Sequence, residues 1–330
     1  MQVHRHEQHI TCDIAKTCTL DCFACRRQTY KHRKIPPGGF RGQNMPLSDL
    51  EKLCEVYKTV GFCGQVSDPI FHPQFHELLE IMERTGRECH IHTAATSPKL
   101  KMDFYEKAFE IHPRGKWFFG LDGLPDESPM YRTNQDGDFL FEAMTKAPNA
   151  TWQWIVFRFN QDSIDQGKEL ADKYGIQLQL NYSNRWWGHP ADMDYEPTEM
   201  YWMAPDTKYT VPRTSTNHYR NWGKDDFELW PKCIHLEQSV AYVNQGFLLP
   251  CCWVDGHEYE EDVTVFTQEK FRLENNDHVY DIIQSDEWMQ FYDDLIRKPK
   301  EAPIECWKHC TNMHDHEKYG KDSRRKRVNL

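Results

Sequence analysis

No apolar run in this chain comes near the roughly 20 residues that a membrane-spanning helix needs, which excludes the helical membrane proteins. The N-terminus, Met-Gln-Val-His-Arg-His, lacks the apolar core of a secretory signal. Positive charge is scarce as well: 40 Lys and Arg stand against 51 Asp and Glu, a formal net charge of −11. That balance excludes a general attraction to nucleic acid or to anionic membranes. Only the tail is basic, and a solvated terminus accounts for Arg324, Arg325, Lys326 and Arg327. Cysteine is missing between Cys89 and Cys233, so the 12 cysteines fall into separate groups. With no export signal the chain is expected in the cytoplasm, where thiols stay reduced and grouped cysteines point to metal ligation rather than disulfides.

A length of 330 residues suggests about two domains. Between residues 9 and 182, short β-branched or aromatic runs alternate with amphipathic stretches, the sign of βαβ units and a parallel sheet. The pattern predicts strands at 9–15, 62–67, 88–94, 116–121, 151–158 and 176–182. It predicts helices at 48–60, 73–85, 99–110, 138–147 and 163–174. Ser48 and Ser163 each stand where an N-cap belongs, and Gly175 stands where a helix should stop. This is an α/β chain, and periodicity alone does not separate a parallel barrel from a doubly wound open sheet.

Just beyond the first strand, Cys18, Cys22 and Cys25 form C-x3-C-x2-C. Three thiolates in one loop can hold three irons of a cubane cluster and leave the fourth open, whereas a structural zinc site wants a fourth protein ligand. Zinc with His32 as that ligand is the competing reading. The spacing and its place after the first strand resemble the radical S-adenosylmethionine (SAM) enzymes. The resemblance implies a partial (β/α)6 TIM-like barrel over residues 1–183. It also implies a SAM-binding four-iron four-sulfur cluster on Cys18, Cys22 and Cys25. In that family SAM docks on the open iron and is cleaved to methionine and a 5'-deoxyadenosyl radical. A parallel barrel places chemistry at the carboxyl ends of its strands, where Cys18 falls.

The same resemblance assigns cofactor contacts position by position. Val66-Ser67-Asp68-Pro69 stands for a Gly-Gly-Glu-Pro segment, so Asp68 replaces the acid that meets the SAM amino group; an ordinary turn residue is the competing reading. Gly120-Leu121-Asp122-Gly123 and Tyr131-Arg132 resemble the Ser-x-Asp-Gly and Tyr-Arg elements near ribose and carboxylate, with Gly120 in place of the serine. Thr93 stands at a Thr-Asn position whose asparagine is Ala94, and Asn160 matches an asparagine after the fifth strand. Asn160 as a residue that opens a helix is its plain alternative. Ala24 occupies a usually aromatic position before the third cysteine.

Residues 184–232 break the alternation with a stretch dense in Trp, Tyr, Pro and Asn, an ordered connector that either caps a core or lines a pocket. Its Arg185, Arg213 and Arg220 among aromatics could stack nucleobases, but neighbouring Asp192, Asp194, Glu196 and Glu199 argue against it. From Cys233 the pattern changes. Val240–Val243 and Phe247–Leu249 flank Asn244-Gln245-Gly246, predicting a hairpin with glycine at the positive φ, and a helix is predicted from Asp286 to Arg297. Residues 233–330 resemble the shortened SPASM module called twitch, with Gly246 and Cys251 separated by four residues as in that motif. The resemblance implies an auxiliary four-iron four-sulfur cluster on Cys233, Cys251, Cys306 and Cys310. Cys252 competes with Cys251, and zinc with the same ligands or His309 is the alternative. The histidine groups His4, His6, His9 and His309, His314, His316 are read as solvated polar termini.

A fully ligated second cluster suits electron transfer, which implies a net oxidation, an oxidoreductase that abstracts hydrogen from a small polar substrate. Only eight residues precede the first predicted strand, which mildly favours a small substrate. A peptide-modifying radical SAM enzyme is the second expectation, and a non-catalytic zinc-binding interaction protein the third. An external donor such as flavodoxin or ferredoxin is the expected electron-transfer partner, with no membrane or nucleic-acid partner.

Overall fold

The computed structural model describes residues 7–22, 25, 27, 42–64, 66–181, 200–201, 208–209, 227–235, 240–252, 254, 264–303, 306–307, 310–313 and 327–329. In chain order the first elements are β1 (His9–Cys12), α1 (Leu47–Val56), β2 (Thr59–Phe62), α2 (Phe75–Thr85), β3 (Glu88–Thr93), α3 (Met102–Ile111) and β4 (Lys116–Gly120). Then come α4 (Gly137–Lys146), β5 (Ala150–Ile155), α5 (Ile164–Tyr174) and β6 (Gln177–Asn181). Two short strands, β7 (Met200–Tyr201) and β8 (Lys208–Tyr209), pair antiparallel. They are followed by β9 (Phe227–Leu229), α6 (Lys232–His235), β10 (Ala241–Tyr242), β11 (Leu248–Leu249), α7 (Tyr280–Ile283), α8 (Asp286–Arg297), β12 (Thr311–Met313) and β13 (Arg327–Asn329).

The chain divides into two compact units: Met1–Thr17, Phe40–His90 and Asn217–Lys318 form the first, and Cys18–Gly39, Ile91–Thr216 and Tyr319–Leu330 the second. In the first, the hydrogen-bonded order runs β11-β10-β1-β2. β1 is parallel to both β2 and β10, and β10 and β11 form an antiparallel hairpin. Ile10, Leu50, Leu53, Val60, Phe62, Leu78 and Leu79 are fully buried there. In the second the order is β4-β5-β6-β13, with β4, β5 and β6 parallel and β13 antiparallel at the end. The unit boundary cuts β3 in half. Six β-strands alternating with five helices give the α/β class and the (β/α)6 succession expected from the sequence.

Several boundaries differ from expectation. The first predicted helix ends at Val56 instead of 60, and β2 occupies Thr59–Phe62 instead of 62–67. Thr59 and Val60 are β-branched and pair with His9 and Ile10, so residues read as a helix tail join the sheet. Ser48 is not an N-cap: Pro46 holds that position with φ −62° and ψ 144°, and the helix starts at Leu47. Ser163 precedes α5 but does not cap it; its hydroxyl donates to Glu127 Oε1 at 2.5 Å. Gly175 does end α5, in the left-handed region at φ 65°.

The C-terminal helix α8 occupies the predicted span. Ser285 caps it by accepting from Trp288 N at 3.4 Å, Asp286 and Glu287 sit in its first turn and Arg297 in its last, all favourable to the helix dipole. Gly246 takes φ 86° in the β10–β11 turn, as predicted. Among the described residues no helix is long and apolar enough to cross a membrane. The 184–232 connector lies almost wholly outside the described residues, as do Ala24, His4, His6, His32, His309, His314, His316 and Arg324 to Lys326.

Candidate functional site

Cys22 is buried, while Cys18 and Cys25 are half-buried, and none of the 12 cysteines forms a disulfide. A turn joins Cys25 N–H to the Cys22 carbonyl at 3.1 Å. The loop is tied down by contacts with later loops of its own unit. Thr19 Oγ1 donates to the Thr96 carbonyl at 2.6 Å beyond β3, and Asp21 N–H donates to the Thr133 carbonyl at 3.0 Å beyond β4. Asn134, at φ 73°, reaches the Thr19 carbonyl and Asp21 Oδ2 at 3.5 and 3.4 Å. Arg27 Nη1 donates to the Cys18 carbonyl at 2.7 Å. Among the described residues no three His, Cys, Asp or Glu side chains are gathered closely enough to hold a metal ion. The donor set nevertheless fits an iron-sulfur group: three thiols within eight residues of one anchored loop, two of them half-buried.

The loop after β4 supplies charge beside Cys22. Asp122 is fully buried, and its Oδ2 pairs with Arg132 Nε at 2.7 Å. Its Oδ1 accepts from Ile155 N at 2.8 Å, and its own N–H donates to Ser128 Oγ at 2.7 Å. Ser128 in turn donates to Gln135 Oε1 at 2.5 Å, and Gln135 Nε2 donates to the Ala94 and Gly120 carbonyls at 2.6 and 3.0 Å. Burial works against the charge on Arg132, but the Asp122 carboxylate, with Cys22 and Tyr131 behind it, carries the guanidinium pKa above its ordinary value.

Gly120 explains itself here. A Cβ on it would stand 2.8 Å from Arg132 Nη2 and 3.1 Å from Ala94 Cβ, so a serine at this position would displace the guanidinium. Asn160 is buried and fully used: its Nδ2 donates to the Asp122 and Ile155 carbonyls, both at 3.0 Å, and its Oδ1 accepts from Phe157 N at 2.8 Å. Thr93, the last residue of β3, is buried. The structure thus brings Asp122, Arg132 and Asn160 into one network. Its other members, Ser128 and Gln135, were not found from sequence: Ser128 bonds within the irregular loop after β4, where no periodicity marks a contact, and Gln135 reaches Ala94, 41 residues away.

Asp68 belongs to the first unit, buried at the N-terminus of a one-turn helix, Pro69–Phe71. Its Oδ1 accepts from Ile70 N at 3.3 Å, the capping role of a turn residue before proline, and its N–H donates to the Thr17 carbonyl at 3.0 Å. Ser67 donates its hydroxyl to Asp13 Oδ1. Asp13 is buried just past β1.

The later cysteines also sit in the first unit. Cys233 in α6 and Cys306 are buried, and Cys251, Cys252 and Cys310 half-buried. The Cys310 carbonyl accepts from Trp230 N at 2.7 Å, continuing the antiparallel β9–β12 ladder next to α6. Burial pushes the Cys233 thiol well up, and Cys251 and Cys310 push it further. Tyr292 of α8 is buried against the group and donates to the Pro250 carbonyl at 3.3 Å; burial, then Cys233 and Cys251, raises its pKa.

No protein-family model matches the chain, and no curated protein sequence matches it. Solved structures do. Streptococcus suis SuiB bound to S-adenosylmethionine aligns with a TM-score of 0.52 at 12% identity, covering 90% of this chain and 76% of that one. SuiB bound to the precursor peptide SuiA aligns with 0.51 at 13% identity over 84% and 66%. A further SuiB structure aligns with 0.50 at 10% identity over 81% and 68%. At these identities the likeness is one of fold.

Proposed function

We propose that the chain is a radical SAM enzyme, an oxidoreductase that takes a hydrogen atom from a small polar substrate in a net oxidation. The observation that carries the reading is the C-x3-C-x2-C loop, free of disulfides and anchored through Thr19, Asp21 and Asn134 to the loops beyond β3 and β4. Cys18, Cys22 and Cys25 would hold a four-iron four-sulfur cluster with SAM on its open iron. When bound, that pair supplies reductive cleavage of SAM to methionine and a 5'-deoxyadenosyl radical, which becomes 5'-deoxyadenosine on taking the substrate hydrogen.

The chain's own residues have separable tasks. Arg132, held by Asp122, offers a fixed cation to a carboxylate near the cysteine loop. Asn160 and Gln135 fix the strand ends beneath it. Thr93 ends β3 as a further cofactor-side residue, and Asp68 accepts from an ammonium group by exchanging its turn contact. Cys233, Cys251, Cys306 and Cys310 would hold an auxiliary cluster in a twitch-like segment that carries the second electron away. Cys252, next to Cys251 in the chain, competes with it for that ligand position. Functional boundaries at residues 183 and 233, an electron donor of the flavodoxin or ferredoxin kind and a cytoplasmic setting belong to the same proposal.

Peptide modification is the second reading, supported by the fold shared with SuiB, which has been captured with a precursor peptide. The test of the whole reading is release of 5'-deoxyadenosine from reduced, anaerobically purified protein supplied with SAM. Stoichiometric zinc in a colourless protein would instead favour the structural zinc reading.

A further inference from the structure

Alternation along β4, β5 and β6 splits the second unit's sheet into two faces of opposite character. Trp117, Phe119, Trp152, Trp154, Leu178 and Leu180 form one, and all are buried. Helices cover it: Tyr105 of α3 meets Trp117 and Phe119 at centroid distances of 6.1 and 6.4 Å, and Phe141 of α4 meets Trp152 at 5.4 Å. Gly167 of α5 lies so close to the Trp154 ring that a Cβ would overlap it.

The other face is polar. His92 of β3 stacks on Phe118 at 4.4 Å with an interplanar angle of 7°, and its Nδ1 lies 3.4 Å from Gln153 Oε1. Gln153 Nε2 donates to Gln179 Oε1 at 2.8 Å, directly across the β5–β6 register. At the carboxyl end of the same face, the missing side chain of Gly120 makes room for the Arg132 guanidinium, which pairs with Asp122. A face covered only for packing is filled by apolar side chains, and a row of amides on it has no packing reason. Gln153 is half-buried. An amide carries two N–H donors and an oxygen with two lone pairs. With His92 Nδ1 carrying the proton, Gln153 gives one N–H to Gln179 and one lone pair to His92, which leaves one N–H and one lone pair of its amide. Their complement is another amide, which presents the same pair reversed.

We infer that Gln153, flanked by His92 and Gln179, is the specificity-determining group for a neutral, amide-bearing substrate. The inference rests on the radical SAM reading for what happens to that substrate, but the binding itself does not. At the level of the strands where His92, Phe118, Gln153 and Gln179 lie, these described residues carry no carboxylate or ammonium group, so an anionic substrate of the same size finds no fixed countercharge beside Gln153. The shared chemistry has two sources, a peptide backbone amide or a small carboxamide.

Saturation-transfer NMR on the full-length protein, with N-acetylglycinamide and propionamide set against N-acetylglycine and propionate, tests it. The amides are expected to bind about tenfold or more tightly than the carboxylates, since a site built for an N–H and a lone pair is left unsatisfied by an anion. Gln153→Leu and the near-isosteric Gln153→Glu should both remove the preference. N-acetylglycinamide ahead of propionamide assigns the source to peptide, and the reverse order to a small carboxamide. Equal binding of amides and carboxylates by the wild type overturns the inference whether or not the variants fold, and so does a preference that survives in both. Release of 5'-deoxyadenosine by a wild type that binds amides and carboxylates equally sinks the inference alone. Amide preference in a wild type that releases none sinks the catalytic reading alone.

Discussion

The two cysteine groups are held by different kinds of bond. Around Cys18, Cys22 and Cys25 the anchors are mostly individual side chains: Thr19, Arg27 and Asn134 each make a specific polar contact with the loop or from it. Around Cys233, Cys251 and Cys310 the anchors are a backbone ladder, β9 with β12, and the buried phenol of Tyr292. Side-chain anchors leave a loop responsive to whatever binds beside it, whereas a ladder makes a rigid frame. The first arrangement suits a centre that must admit a cofactor and the second a centre that only conducts.

The largest effect expected from this contrast comes from replacing cysteines. Changing Cys18, Cys22 and Cys25 together to alanine should abolish 5'-deoxyadenosine release, while Cys306→Ala should spare part of it and stop substrate turnover. Equal loss in both, measured by chromatography of the reaction, would break the comparison. Next is Arg132→Met. It leaves Asp122 buried without its counter-charge, and breaking such a pair costs about 3–5 kcal/mol. Chemical denaturation should show that loss; a change under about 1 kcal/mol would mean the pair is not a structural anchor.

A smaller effect concerns the first unit and pH. His72 is buried; its Nε2 meets the Met45 carbonyl at 2.9 Å and its Nδ1 accepts from Gln74 N at 3.0 Å, which suits the neutral ring. Burial lowers its pKa from 6.5, with the Met45 and Gln74 bonds acting the other way. Because the folded value lies below the unfolded one, the contribution is complete above pH 6.5 and is lost as pH falls through the lowered value. Denaturation midpoints at pH 7.5 and pH 5 should therefore differ more for the wild type than for His72→Gln. Equal differences would remove His72 from the frame of the first unit.

The parts legible in the sequence were those with local causes. The spacing of Cys18, Cys22 and Cys25, the turn at Gly246 and the helix at Asp286–Arg297 each depend on residues a few positions apart, and the last two stand in the structure where the pattern put them. The rest depended on distance along the chain. β10 pairs with β1 across more than 200 residues, so the hairpin's place beside the first strand left no local mark. Gln135 reaches back 41 residues to Ala94, a contact that no periodicity announces. At β2, Val60 and Phe62 continued the apolar pattern of Leu50, Leu53 and Val56, and the strand was read too late. Gly120 looked like a lost serine until its neighbour Arg132 was visible.

The polar face of β5 and β6 follows from the same contrast. Gln153 and Gln179 carry no local signal, and only the strand register sets them opposite each other.

The account turns on whether the early cysteine loop supports reductive cleavage of a sulfonium cofactor. Reduced, anaerobically purified wild-type protein incubated with S-adenosylmethionine should release 5'-deoxyadenosine and methionine in equal amounts and contain about eight irons per chain if both sites hold four-iron clusters. A protein that holds zinc in place of iron and releases neither product would contradict it.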